Sequence, residues 1–186
     1  MTYHPARHHR RSIRLRGYDY SQAGAYFVTI CTNNRECLFG EVVDGEMRWN
    51  DAGRMVNKCW YEIPAHFPHV ELDAFVVMPN HVHGIIVVGA PFMAPHDSGA
   101  MNQGAMNRAP TLGGMVRSFK AVATRRLRQA GCSAFAWQRN YYEHIIRNEE
   151  SLDRIRRYIA DNPARWSFDR ENPAATEPET EHAWTQ

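Results

Sequence analysis

Between Val70 and Val88 the chain holds two apolar, β-rich runs, Val70 to Met78 and His81 to Val88, parted only by Pro79-Asn80. Runs of this length and composition read as strands, and so short a break makes them antiparallel neighbours. Two histidines, His81 and His83, sit inside the second run. Side chains alternate across a strand, so both project from one face while Val82 faces the other. Imidazoles placed this way can converge on one metal ion or one phosphate. Left unsatisfied among apolar neighbours they would be costly. The plainer alternative, two surface histidines beside a turn, stays open at this level.

The rest of the chain supplies partners for those strands. Tyr26 to Thr32 reads as a strand, and Leu38 to Val43 and Glu46 to Trp49 flank Asp44-Gly45, a strong hairpin signal. A helix capped at Asn50 or Asp51 carries Met55, Val56, Cys59, Trp60 and Ile63 at helical spacing and stops at Pro64. Thr111 to Ala130 is a second helix, with Gly131 as its stop. Trp137 to Ile146 reads as a last strand, and Asn148 caps a helix that ends at Asn162-Pro163. This order gives an α+β domain, a mostly antiparallel sheet with helices packed on it. Residues 1–20 read as a basic arm. Residues 90–110, which repeat Gly-Ala-Met-Asn, read as a flexible insertion, and residues 169–186 as a loose acidic tail.

Composition matters here chiefly through charge. The chain has 186 residues and a formal net charge of +2, which on its face argues against a polyanion partner. The average hides a division: residues 1–168 hold 21 basic and 15 acidic side chains (+6), residues 169–186 one and five (−4). Twenty of the 22 basic residues are arginines, which suit bidentate phosphate contacts; a GC-rich genome would give the same excess. The four cysteines show no CxxC spacing, as expected of reduced thiols in the cytoplasm. No apolar run is long enough to span a bilayer, and the basic N-terminus has no apolar stretch behind it, so no membrane partner is expected.

Two further groupings carry chemistry. On the last helix Leu152, Ile155 and Ile159 form an apolar stripe, and Tyr158 and Asn162 stand one above the other on its shoulder, at i and i+4. Two histidines and a carboxamide oxygen suit Mg²⁺ or Mn²⁺ better than a closed zinc site. A core tyrosine with a wet hydroxyl and a helix-ending asparagine remain the plain alternatives. From Ser98 to Tyr142 there is no acidic residue, yet Arg117, Lys120, Arg125, Arg128 and Arg139 lie there, and the last helix adds Arg154 and Arg157. With Arg14 and Arg16 of the arm, these form the footprint of a nucleic-acid binder. Trp137, Tyr141 and Tyr142 offer rings for stacking unpaired bases, or belong to the core.

Three motifs in order, Met78-Pro-Asn-His-Val-His-Gly84, Trp137-Gln-Arg-Asn-Tyr-Tyr-Glu-His-Ile-Ile-Arg147 and Tyr158-Ile-Ala-Asp-Asn-Pro163, resemble the single-tyrosine HUH transposases. Within these the chain is most similar to the REP-associated tyrosine transposases, over roughly residues 17–166 without the insertion. The resemblance implies a ferredoxin-like (HUH-type) sheet with helices on one face, and makes residues 21–168 a catalytic domain. It implies that His81 and His83 are metal ligands, that Tyr158 is the nucleophile, and that Asn162 is the third ligand. Tyr141 and Tyr142 are rivals to Tyr158 but lack a ligand-type residue at i+4; Glu143 and His144 are weaker candidates to assist. The implied activity is cleavage and rejoining of single-stranded or hairpin DNA through a 5′-phosphotyrosine, with Mg²⁺ or Mn²⁺ and no small-molecule cofactor. The implied location is the cytoplasm, in association with the nucleoid. Whether one chain or a homodimer builds the site is left open.

A histidine-triad hydrolase would need a histidine where Ile85 stands, and the two His-x-Ser/Thr motifs of a phosphoesterase are missing. The remaining rival is a non-catalytic, RRM-like module that binds nucleic-acid hairpins on its sheet.

Overall fold

The structure, a computed structural model, describes residues 23–89 and 111–176. Arg14, Arg16, the basic arm and the 90–110 insertion lie outside the described residues. Four strands form one antiparallel sheet: β1 (Gly24–Cys31), β4 (Val70–Val77), β5 (His81–Val88) and β6 (Tyr142–Ile146), in the order β4-β5-β1-β6. Between β1 and β4 come a separate hairpin, β2 (Gly40–Val43) and β3 (Glu46–Trp49), then α1 (Asp51–Tyr61) and the short α2 (Ile63–His66). The helix α3 (Leu112–Gln129) precedes β6, and α4 (Glu149–Asp161) follows it. The expected α+β class, an antiparallel sheet with packed helices, is the class observed.

Local chemistry accounts for most boundaries. Asp44 and Gly45 both have positive φ (53° and 77°), as a two-residue hairpin turn requires. The Asn50, Thr111 and Asn148 side chains each accept a backbone N–H of the helix that follows, at 3.0, 3.2 and 2.8 Å. Two boundaries differ from expectation. The first helix ends at Tyr61, and Pro64 lies in the first turn of α2, where its missing N–H costs nothing. The last strand begins only at Tyr142. Upstream, Trp137 makes a single bridge to Thr32, and its ring packs among Phe39, Phe119 and Phe135 as core.

The helices cover both faces of the sheet, which departs from the one-face arrangement that the resemblance implied. Tyr26, Val28, Ile30, Val82 and Ile86 face α1 and α3, in a core completed by Val56, Trp60, Leu112, Met115, Phe119 and Leu127. Phe27 and Ile85 face the other way, against Ile146, Ile155 and Ile159 of β6 and α4. Each such fully buried side chain contributes about 1.5–3 kcal/mol relative to exposure. Among the described residues no helix is long and apolar enough to cross a membrane.

Candidate active site

The histidines project from β5 toward α4, as their alternation with Val82 requires. His81 is paired in register with Cys31 and His83 with Thr29. Their Nε2 atoms stand 3.0 Å apart, and both rings are buried. Burial, with the charge of Arg35 adding to it, lowers His81 to about 3. Burial and then the charge of His81 hold His83 well below the ordinary range, against a smaller opposite effect of Asp169. Both imidazoles are therefore neutral near pH 7, the form that ligates metals. Thr29 Oγ1 lies 2.9 Å from His83 Nδ1, and Asn80 Oδ1 lies 2.8 Å from His81 Nδ1.

The helix α4 brings Tyr158 to this pair. Its apolar stripe seats it on Phe27 and Ile85, and Arg156 ties it to β4 through a two-pronged contact with Asp73 (3.0 and 2.7 Å). Tyr158 Oη stands 3.5 Å from His83 Nε2, and its ring meets His83 and Phe27 edge-on. One turn later Asn162 is buried, and its Oδ1 has no hydrogen-bond partner. A buried carboxamide oxygen left bare is costly unless something outside the protein meets it.

The sequence reading missed Asp169. The chain does not leave the fold at residue 168, as the expected acidic tail required. A 3-10 turn at Trp166–Phe168 brings Asp169 back, buried, with Oδ2 at 3.6 Å from His81 Nε2 and without a hydrogen bond. Asp169 Oδ1 accepts the Glu171 N–H at 2.7 Å. Buried Glu171 is fixed in turn by Arg35 (2.9 Å), Arg170 (3.2 Å) and the Cys31 thiol, which donates to it at 3.4 Å. Burial, then the Glu171 carboxylate, pushes that thiol far up, so Cys31 stays protonated. No local signal marks Asp169; its acidic and proline-rich neighbours disguise it as tail.

His81, His83 and Asp169 form a group able to hold a metal ion, with ligand atoms all within 4.8 Å of one another. The donor set fits a hard divalent ion. Two neutral imidazole nitrogens face a carboxylate oxygen that lacks a hydrogen bond. Adjacent ligands of an octahedral ion with bonds of about 2.1 Å are about 3 Å apart, the spacing of the two Nε2 atoms.

An open groove of about 1390 Å³ runs beside this cluster. Its lining includes Arg117, Lys120, Arg125, Arg128 and Arg139, all singled out from sequence, together with Arg35 and Arg170. Tyr141 and Tyr142 also line it. Thr29, which meets His83, and Glu171, which meets Asp169, also line it. Lys120 is committed to shape: its Nζ donates to the carbonyls of Gln138 (2.6 Å), Asn140 (3.3 Å) and Arg139 (3.4 Å), and burial lowers it to about 8. Arg154 and Arg157 are not part of this lining. Arg154 pairs with Glu150 at 2.8 Å, and Arg157 Nε donates to the Asp153 carbonyl at 3.4 Å.

No family model matches the chain. A protein of Haemophilus influenzae, described as uncharacterized, is 46% identical over 171 residues, which is 90% of this chain and 95% of that protein. This chain belongs to the same family as that protein. Among solved structures, a REP-associated tyrosine transposase bound to a REP hairpin superposes with a TM-score of 0.56 at 22% identity, over 82% of this chain and 73% of that one. At that identity the likeness establishes the fold, and it is the fold that the three sequence motifs pointed to.

Proposed function

We propose that this protein is a metal-dependent, transposase-like transesterase that nicks and rejoins single-stranded DNA near hairpins. The observation that carries the reading is one convergence: Tyr158 Oη lies 3.5 Å from His83 of a buried, neutral histidine pair, and Thr29, which meets His83 from the other side, also lines an arginine-rich groove. The solved transposase of the same fold was bound to a REP hairpin, which makes a hairpin-bearing strand the substrate to test.

In this reading Arg117, Arg125, Arg128 and Arg139 hold the phosphodiester backbone along the groove. Tyr158 Oη attacks phosphorus, the P–O3′ bond breaks, and the leaving 3′ oxygen takes up a proton. The product is a 5′-phosphotyrosine and a free 3′-OH, and reversal by another 3′-OH rejoins the strand without ATP. A free tyrosine has a pKa of about 10, so Tyr158 needs its proton drawn off at the site. A Mg²⁺ or Mn²⁺ ion held by His81, His83, Asp169 and Asn162 would polarise a non-bridging oxygen of the scissile phosphate. A sheet-surface RRM-like mode has no support in the fold, because α1 and α3 cover one face and α4 the other.

The test is incubation of the protein with Mg²⁺ or Mn²⁺ and labelled hairpin-bearing single strands, followed by a denaturing gel. Wild type forms a covalent adduct and Tyr158→Phe forms none. An adduct with Tyr158→Phe refutes the nucleophile assignment, and its absence from every strand and metal favours the binding module.

A further inference from the structure

Asn80 is fully buried at the turn between β4 and β5, and its side chain meets two distant parts of the chain and the neighbouring His81. Its Nδ2 donates to the Arg35 carbonyl at 3.1 Å and to the Glu171 carbonyl at 2.7 Å. A carboxamide nitrogen has two hydrogens, and two carbonyls occupy both. The atom 2.8 Å from His81 Nδ1 is therefore the carboxamide oxygen, which only accepts. It follows that His81 carries its proton on Nδ1 and presents a bare lone pair at Nε2. The Asp169 carboxylate 3.6 Å from that Nε2 would by itself favour a proton there; Asn80 opposes it. The Arg35 end is built for this contact, since Arg35 holds a left-handed φ of 56°, uncommon outside glycine, where its carbonyl meets Asn80.

His83 has a different kind of partner. The Thr29 hydroxyl, 2.9 Å from His83 Nδ1, can donate or accept. With His81 Nε2 bare and 3.0 Å away, His83 Nε2 must carry a proton when no ion is bound, and Thr29 then donates to Nδ1. When an ion takes both Nε2 lone pairs, His83 moves its proton to Nδ1 and Thr29 accepts.

We propose that Asn80 is a positioning residue that locks His81 in the metal-ready Nδ1–H form, while Thr29 lets His83 change form on binding. This rests on the metal-centre part of the proposed function and not on DNA chemistry. The histidine ligands are thus unequal, one preset and one adjustable, and loading requires a single proton shift within His83.

Long-range ¹H–¹⁵N spectra of histidine-labelled protein test this, first without metal and then with Zn²⁺ as a diamagnetic probe. The expected result is His81 as Nδ1–H in both states, with His83 passing from Nε2–H to Nδ1–H on adding Zn²⁺. A metal-free His81 protonated at Nε2 overturns the role of Asn80. A His83 unchanged by Zn²⁺, or no Zn²⁺ binding at all, overturns the role of Thr29. Asn80→Ala should free His81 and weaken Mn²⁺ binding by about 10–100-fold, while Asn80→Asp, which keeps an acceptor, restores the Nδ1–H form. Unchanged Mn²⁺ affinity in folded Asn80→Ala also contradicts the proposal; should that variant not fold, the wild-type spectra decide. None of these readouts involves DNA, so failure of the strand-cleavage reading shows separately on the adduct gel.

Discussion

The two faces of β1 and β5 are built from alternate residues of the same strands, yet they do different things. On the α1/α3 face Tyr26, Val28, Ile30, Val82 and Ile86 are all apolar and buried. The α4 face starts the same way at Phe27 and Ile85, then turns polar at one end with Thr29, His81 and His83. The polar end lies where the apolar stripe of α4 gives way to Tyr158, Asn162 and the returning Asp169. One face thus holds the sheet rigid, while the other uses that rigidity to keep two imidazoles and a tyrosine together. The glycine of the His-Val-His-Gly motif belongs to the first face: a Cβ on Gly84 would enter the ring of Trp60.

This division makes neighbouring residues separable by experiment. His83→Ala, on the site face, should cut strand cleavage by about 1,000-fold, several kcal/mol of transition-state stabilisation, with little change in Tm. A comparable fall in Tm would mean that the two faces are not independent. Gly84→Ala, one residue on, should destabilise the fold by about 1–3 kcal/mol through overpacking and leave Mn²⁺ affinity intact, as denaturant titration and calorimetry can show. Asp169→Asn should weaken Mn²⁺ binding by about tenfold, roughly 1.4 kcal/mol; unchanged affinity would return Asp169 to a purely structural role. Arg139→Gln, in the groove, should reduce the salt dependence of hairpin binding by about one ion in slope and spare metal affinity. An unaltered slope would remove the loop around Arg139 from the nucleic-acid path.

The strands, the hairpin turn, the asparagine caps at Asn50 and Asn148 and the shared face of His81 and His83 were legible, because each depends on residues close in sequence. Tyr158 and Asn162 were legible as a helical pair for the same reason. What escaped depends on register and on chain return. Thr29 meets His83 only through the pairing of β1 with β5, 54 residues apart. Asn80 reads as a turn residue until the Arg35 and Glu171 carbonyls are brought to it. Asp169 and Glu171 sit in a stretch whose composition resembles a solvated tail, and only the turn after α4 buries them. Lys120 looked like a free basic residue on the exposed side of α3, and its three carbonyl partners belong to a loop 18 to 20 residues further on.

The central claim is that Tyr158 forms the covalent bond to DNA. Mass spectrometry of tryptic peptides from the protein–DNA adduct tests it most directly. The account predicts the nucleotide remnant on the peptide of residues 158–165, which contains Tyr158 and Asn162. A remnant on the peptide of residues 140–147, which contains Tyr141 and Tyr142, would contradict it.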